Sequence, residues 1–442
     1  MPRLPTEVIG DAHTSEFAWG VLEELVEIGN RMAGQEGEAE GARVVADAFG
    51  EVGLRDVGIS EFDVPGWWRG SSSLSVDGHG GWSADHHVIG LPGTSAGTVE
   101  APLVDVGYGV PEEIGDEVEG AIAIARSDSP EGDRWVHRME KYAAAAENGA
   151  VGFVFRNHVP GNLPPTGEVG YHERPGSIPA VGASKELGAR LERYAEEGAS
   201  AGLSVECRNE PSTSPNTQAV VGDGDEEVLV TAHVDAHDIS EGAEDNGVGT
   251  ALLPEIGRLL ARVEDDLDAR VRLIAFGAEE MGLWGAYHHA ETADLDAVKC
   301  QMNIDGAGGS RNPRVRTNGF DAMEEPFRAA AERFDAPLEV NAEVSPHGDS
   351  WPFVERGVPA VTVGSSSEES GRGWGHTHAD TLDKLDPRDL CALAAIYAEM
   401  VLELADADRE FPRRDPEEVR DDLADGYVRE LEVGGRWHFE DE

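Results

Sequence analysis

Residues 231–249 read TAHVDAHDISEGAEDNGVG, which sets His233, Asp235, His237 and Asp245 between an apolar run, EEVLV, and a long helical pattern. Three further stretches carry the same residue types after an apolar run: Glu279 and Glu280 in AFGAEEMGLWG, Asp305 in MNIDGAG, and His376 and His378 in GHTHADT. Imidazole nitrogens and carboxylate oxygens in this combination are the donors that a pair of Zn²⁺ ions takes, with a position left for water. Each residue alone has a plainer explanation. Asp245 before NGVGTALL fits a helix cap, the Glu279–Glu280 pair fits a solvated surface, and either histidine of GHTHADT fits an ordinary loop. Glycines beside the glutamate pair and beside Asp305 let the backbone turn tightly there. Their joint placement at successive strand ends is what separates a site from scattered acids.

Carboxylates by themselves are weak evidence in this chain. It has 87 Asp+Glu against 35 Lys+Arg and a formal charge of −52 over 442 residues, so about one position in five is acidic. The 15 histidines are the rarer and more informative letter. A field of this sign repels phosphates and argues against a nucleic-acid partner. It fits adaptation to molar salt, where the Debye length falls to about 3 Å and surface repulsion is screened, and hence a halophilic source, an archaeon above all. Asp238, Glu241 and Glu244 read as part of this acidic background. No stretch approaches the ~20 apolar residues of a membrane span, so no membrane partner is expected. MPRLPTEVIGDAHTSEF shows neither an apolar signal core nor twin arginines, and the expected location is cytoplasmic. Cys207, Cys300 and Cys391 lack CxxC spacing, which argues against a thiolate zinc site or a disulfide framework.

Elements able to hold these residues on one rim are legible in the periodicity. Residues 15–53 carry apolar positions at helical spacing. From about residue 65 the texture turns to glycine- and serine-rich turns and short β-like runs, with one clear helix in RMEKYAAAAENG, and PSTSPNTQ (211–218) reads as a linker. Beyond it, strand and helix alternate: EEVLVTAHVD with VGTALLPEIGRLLARV, VRLIAFGAEE with GLWGAYHHAE, KCQMNIDGAG with AMEEPFRAAAERF, and VPAVTVGSS with DPRDLCALAAIYAEMVLELA. That alternation predicts an α/β domain with a mainly parallel sheet. Functional groups of such sheets gather at the carboxyl ends of the strands, where all of the candidate residues fall. His288 and His289 face different directions on a helix and read as structural or surface residues. His347, in PHGDSWPF, is expected nearer the site than His237. The acidic tail beyond about residue 409 carries no legible motif and is expected to form a peripheral helix and strand or to stay disordered.

On HVDAHD…GAEDNG, AFGAEEMGLWG, MNIDGAG and GHTHADTLDKLD the chain resembles the di-zinc exopeptidase family that contains bacterial leucyl aminopeptidases and plasma glutamate carboxypeptidase, with the transferrin receptor as a non-catalytic relative. The twelve-residue step from His233 to Asp245 and the HTHADT ending bring it nearest the glutamate carboxypeptidase branch. The resemblance implies a phosphorylase/hydrolase-like mainly parallel mixed sheet flanked by helices, built from 15–67 and 215–405. It also implies an inserted β-rich protease-associated domain over 68–214, leaving 406–442 as an acidic C-terminal extension. By the same resemblance, His233 and Asp305 would hold one zinc, Glu280 and His376 the other, and Asp245 would bridge them. His376 is preferred to His378 because the family ligand stands four residues before the aspartate of the DT pair, here Asp380. Glu279 would be the general base, and Asp235 would orient His233 through its other ring nitrogen. In relatives the peptide bond after the bridging aspartate is cis, so Asp245–Asn246 is the corresponding bond here.

The implied reaction is hydrolysis of a peptide bond in small peptides by a metal-activated water, with Glu279 passing the proton to the leaving amine. Mn²⁺ or Co²⁺ suits the same donors. Aminopeptidase action is the expectation; a carboxypeptidase or dipeptidase of the glutamate carboxypeptidase type is the alternative, and needs an arginine clamp that the sequence does not place. A receptor-like binding protein would lack ligands, and none of the five is missing. The inserted domain is expected to cover the cleft or to join two copies as a homodimer. Trp284, Trp351 and Phe353 are expected to pack in the core.

Overall fold

The structure, a computed structural model, describes residues 3–132, 134–366 and 374–439. Its strands form one continuous 14-stranded sheet. At the centre of the peptidase half lies Glu227–His233, parallel to Arg270–Phe276 on one side and to Val298–Ile304 on the other, with Ala360–Ser365 parallel to the latter. Every residue of Glu227–His233 and of Val298–Ile304 is buried, as expected for strands covered on both faces, which read as continuous apolar runs rather than alternating ones. The register pairs His233 with Phe276 and Thr231 with Asn303, so these strands end on one rim.

Helices Val248–Leu260 and Pro387–Ala405 pack on each other and on Glu227–His233. The second of them starts at Asp386, whose side chain accepts the Arg388 N–H, with Pro387 at the first helical position where a missing N–H costs nothing. No helix among the described residues is long and apolar enough to cross a membrane.

The expected linker does not exist as a loop. PSTSPNTQ lies inside the strand Ser200–Val221, which pairs antiparallel with Arg55–Val76, and these two 22-residue strands run from the peptidase half into the insert. The turn-rich reading of WWRGSSSLSV fails for the same reason, since it too is strand. Small polar residues tolerate the ladder because their side chains find partners outside it: Ser214 Oγ donates to Glu38, Thr217 Oγ1 to the Ala42 carbonyl and Asn216 to the Gly285 carbonyl, while Pro65 and Pro211 sit opposite each other. Beyond this ribbon the insert carries its own cores, one containing Ile122, Val154 and Leu203 and another containing Tyr142, Phe153 and Val169.

The tail forms helices Pro416–Asp422 and Asp425–Gly434 where a helix and a strand, or disorder, were expected. It packs because Val419 and Leu431 are buried and because Glu430, 1 % exposed, enters a polar joint between domains. Glu430 lies 3.0 Å from Nε2 of His347 and 3.4 Å from Nη2 of Arg436, and His347 stacks on His137 of the insert. Burial raises the Glu430 carboxyl, but His347 and Arg436 outweigh it and hold the group below its usual range. Glu430→Gln is expected to lower stability by about 3 kcal/mol, the cost of leaving a buried partner unpaired. A depressed carboxyl contributes stability above its unfolded value of 4.5. That contribution is lost as pH falls through the lower folded value. The wild-type and variant denaturation midpoints should therefore converge in acid and differ at neutral pH.

Candidate metal centre

His233 ends its strand, and both its backbone carbonyl and its ring are held. Thr250 Oγ1 donates to its carbonyl at 2.5 Å, and ring Nδ1 lies 3.1 Å from the Asp235 carbonyl and 3.4 Å from Asp235 Oδ1. That leaves Nε2 facing Asp245 Oδ1 at 3.3 Å and Asp305 Oδ1 at 3.9 Å. Asp245 reaches this point from a distorted turn, Ala243–Gly247, in which the Asp245–Asn246 peptide is cis. Its other oxygen, Oδ2, lies 3.3 Å from Nε2 of His376, and that nitrogen is 3.2 Å from Oε2 of Glu280. Two groups of ligand atoms therefore meet through one carboxylate. His233, Asp245 and Asp305 form one group; the other contains Glu280, His376 and, unexpectedly, His237.

The electrostatics follow from burial of so many charges. Burial and the Glu280 charge push the Asp245 carboxyl up, but the imidazoles of His233 and His376 hold it below its ordinary range. Glu280 is likewise held low, against burial, by His237 and His376. Glu279 goes the other way: burial, with the charges of Glu280, Asp349 and Asp305, raises its carboxyl well above the usual value despite His233.

Asp235 has a wider part than orienting His233. Its two oxygens accept the backbone N–H groups of Glu279 and Glu280, each at 3.1 Å, and so lock the glutamate turn to the histidine strand. Asp380 does the same for the bridging turn, accepting the N–H groups of Glu244 at 2.7 Å and Asp245 at 3.1 Å, and burial lifts its carboxyl to about 6. Arg31, 2 % exposed, donates to the carbonyls of Leu25, Val234, Glu241 and Gly242. The insert contributes as well: Thr166 N–H donates to the His376 carbonyl at 2.9 Å, which steadies a histidine with positive φ.

Several sequence expectations end differently. His347 joins Glu430 rather than the metal groups, while its neighbour Asp349 is fully buried among the acids beside His233. Asp238 is no background residue: it binds Arg69 of the long ribbon at 2.6 Å. Glu241 accepts the Leu382 N–H at 2.6 Å, tying the first loop to the GHTHADT segment. Trp351 and Phe353 are core residues, and Trp284 stacks on His172 of the insert. The serine-rich stretch before GHTHADT falls partly on residues 367–373, outside the described residues. Arg31 was missed entirely, and His237, expected farther from the site than His347, is the one that joins it; its only sequence signal was its place four residues after His233, within HVDAH.

The donor set fits a metal pair. His233 Nε2, both ring nitrogens of His237 and Glu280 Oε1 are buried without a hydrogen-bond partner, and an unsatisfied buried polar atom costs about 1–3 kcal/mol. In a tetrahedral site with bonds near 2.0–2.1 Å, donor atoms stand about 3.3 Å apart; the separations here run from 3.0 to 3.9 Å.

Comparison with known proteins agrees with the family expected from the sequence but not with its branch, since the bacterial aminopeptidase is more similar than the carboxypeptidase. Residues 216–401 match peptidase family M28, and residues 99–191 match the PA domain. Aminopeptidase YwaD of Bacillus subtilis is 28 % identical over 414 residues, covering 87 % of this chain and 84 % of its own length. Carboxypeptidase Q of Mus musculus is 24 % identical over 406 residues, covering 87 % and 85 %. The crystal structure of BSAP, a zinc aminopeptidase from Bacillus subtilis, superimposes with a TM-score of 0.71 at 26 % identity, covering 94 % of this chain and all of that one.

Proposed function

We propose that this chain, whose residues 216–401 match peptidase family M28, is a zinc-dependent exopeptidase that removes residues from the N-terminus of small peptides. One observation carries this: two groups of imidazole and carboxylate donors, one fully buried and one half-buried, meet at Asp245, with an unshared carboxylate, Glu279, beside them. His233, Asp245 and Asp305 would hold one zinc, and Glu280, His376 and Asp245 the other; Mn²⁺ or Co²⁺ would suit the same atoms. When bound, such a pair supplies Lewis-acid polarisation of the peptide carbonyl and a water acidic enough to attack near neutral pH.

The chain's own groups do the rest. Glu279 takes the proton of the attacking water and delivers it to the leaving amine. Asp235 holds both glutamates by their backbone N–H groups, so that Glu280 stays among the ligands while Glu279 stays out of them. Six carboxylates crowd this end of the cleft, Asp235, Asp245, Glu279, Glu280, Asp305 and Asp349, and burial with neighbouring acids raises Glu279 and Asp349 toward the neutral form.

A carboxypeptidase or dipeptidase reading has support of its own. Arg138 and Arg436 are buried near the cleft; both face Glu168, and the charge of Arg138 reaches His237. Such a pair suits a C-terminal carboxylate.

Mass-spectrometric product analysis separates the two readings, using a tripeptide and its N-acetylated and C-amidated forms in molar KCl, with and without chelator. Chelator-sensitive release of the first residue, blocked by acetylation alone, is the expected result. Sensitivity to amidation would replace it with the carboxylate-anchored reaction.

A further inference from the structure

His237 has no role in the five-ligand site, yet it is aimed into it. It is 3 % exposed, and neither ring nitrogen has a hydrogen-bond partner. Its Nε2 lies 3.0 Å from Glu280 Oε2, the same oxygen that stands 3.2 Å from Nε2 of His376. At 3.0 Å a hydrogen bond would form if the ring N–H pointed at the oxygen; it does not, so the Nε2 axis passes beside Oε2. His233 Nε2 shows the same off-axis approach to Asp245 at 3.3 Å. The rings of His237 and His376 meet edge to face, with centroids 4.5 Å apart and planes at 81°. Two imidazole nitrogens and one carboxylate oxygen thus lie within 4.8 Å of one another, close enough to hold one metal ion.

We propose that His237 is a sixth protein ligand, completing one metal position as His237, Glu280, His376 and Asp245 while the other keeps only His233, Asp245 and Asp305. This deepens the two-metal reading above and rests on it. Donor separations of 3.0, 3.2 and 3.3 Å around the first position match a tetrahedral shell. Four protein donors close a site and three leave it open, which is the difference between structural and catalytic zinc. The two positions are therefore unequal. The His237 position binds the first equivalent and holds it, and the Asp305 position exchanges and admits water and substrate. The loop that carries His237 is built for such duty: the Ala236 N–H donates to the Arg31 carbonyl at 3.1 Å, and the Arg31 side chain grips Val234.

Cobalt titration into the metal-free protein, followed by proton NMR, tests this. Each imidazole bound to Co²⁺ gives one solvent-exchangeable, strongly shifted N–H resonance. The wild type should show three at saturation, two of them arriving with the first equivalent. His237→Gln should show two and should weaken the first binding step at least ~100-fold, beyond what loss of an outer hydrogen bond explains. Only two shifted resonances in the wild type would overturn the proposal and leave His237 as a neighbour of Glu280. Failure of the wild type to bind two equivalents at all would instead sink the two-metal reading. The wild-type count needs no variant, so misfolding of His237→Gln leaves the test intact.

Discussion

Glu279→Gln is expected to lower kcat by about 100- to 10,000-fold, the usual worth of a positioned proton carrier, while zinc content stays at the wild-type level. Glu279 belongs to neither group of converging ligand atoms, so its carboxylate has no metal to lose. Its backbone stays pinned by Asp235 in the variant, because that bond uses the N–H and not the side chain. Glutamine keeps the shape and removes only the ability to accept a proton. In the metal-free protein burial and three neighbouring carboxylates raise the Glu279 carboxyl well above its usual range. Steady-state kinetics beside elemental analysis decides the matter. A variant that loses zinc together with activity would make Glu279 a ligand, and one within tenfold of wild type would remove it from the proton path.

Arg31→Met carries the second large effect, on stability and metal affinity together. The Arg31 guanidinium joins the end of an N-terminal helix, at the Leu25 carbonyl, to three carbonyls of the loop between His233 and Asp245. Burial is severe enough to bring even this guanidinium down to about 10. Methionine replaces the stem but not the five donors: the carbonyls of Val234 and Glu241 lose the guanidinium, while those of Leu25 and Gly242 keep the Ile28 and Gly247 N–H groups. At about 1–3 kcal/mol for each unsatisfied group, a loss of about 2–6 kcal/mol is expected. Because the same loop carries Asp245 and His237, metal should bind more weakly as well. Arg31→Lys should recover only part of both, since one ammonium cannot span four acceptors. Denaturant midpoints of the metal-free proteins, with zinc competition assays alongside, provide the measurement. A shift below about 1 kcal/mol would show that the loop is held by other contacts.

Sequence and structure part company at identifiable places. Apolar runs followed by His, Asp or Glu predicted which segments would be strands and where their carboxyl ends would lie, and the parallel register places Glu227–His233, Arg270–Phe276 and Val298–Ile304 as that pattern required. The linker expected at PSTSPNTQ failed because serine, threonine and asparagine were read by composition, whereas a partner strand and buried acceptors made them ladder residues. The tail was illegible because its anchor, Glu430, is one acid among 87 and differs from the others only in facing His347 and Arg436.

By itself the sequence determined the local properties of this protein: its α/β rhythm, its acidic surface, and the strand-end placement of His233, Asp235, Asp245, Glu279, Glu280, Asp305 and His376. Those properties depend on neighbours within a few residues, so periodicity reveals them. Only the tertiary structure decided that His237 rather than His347 enters the metal groups, that Arg31 and Asp380 hold the loops in place, and that Thr166 of the insert steadies His376. Each of those contacts joins residues far apart in the chain. Its existence depends on which loops close over which, and no local pattern of apolar and polar letters carries that information.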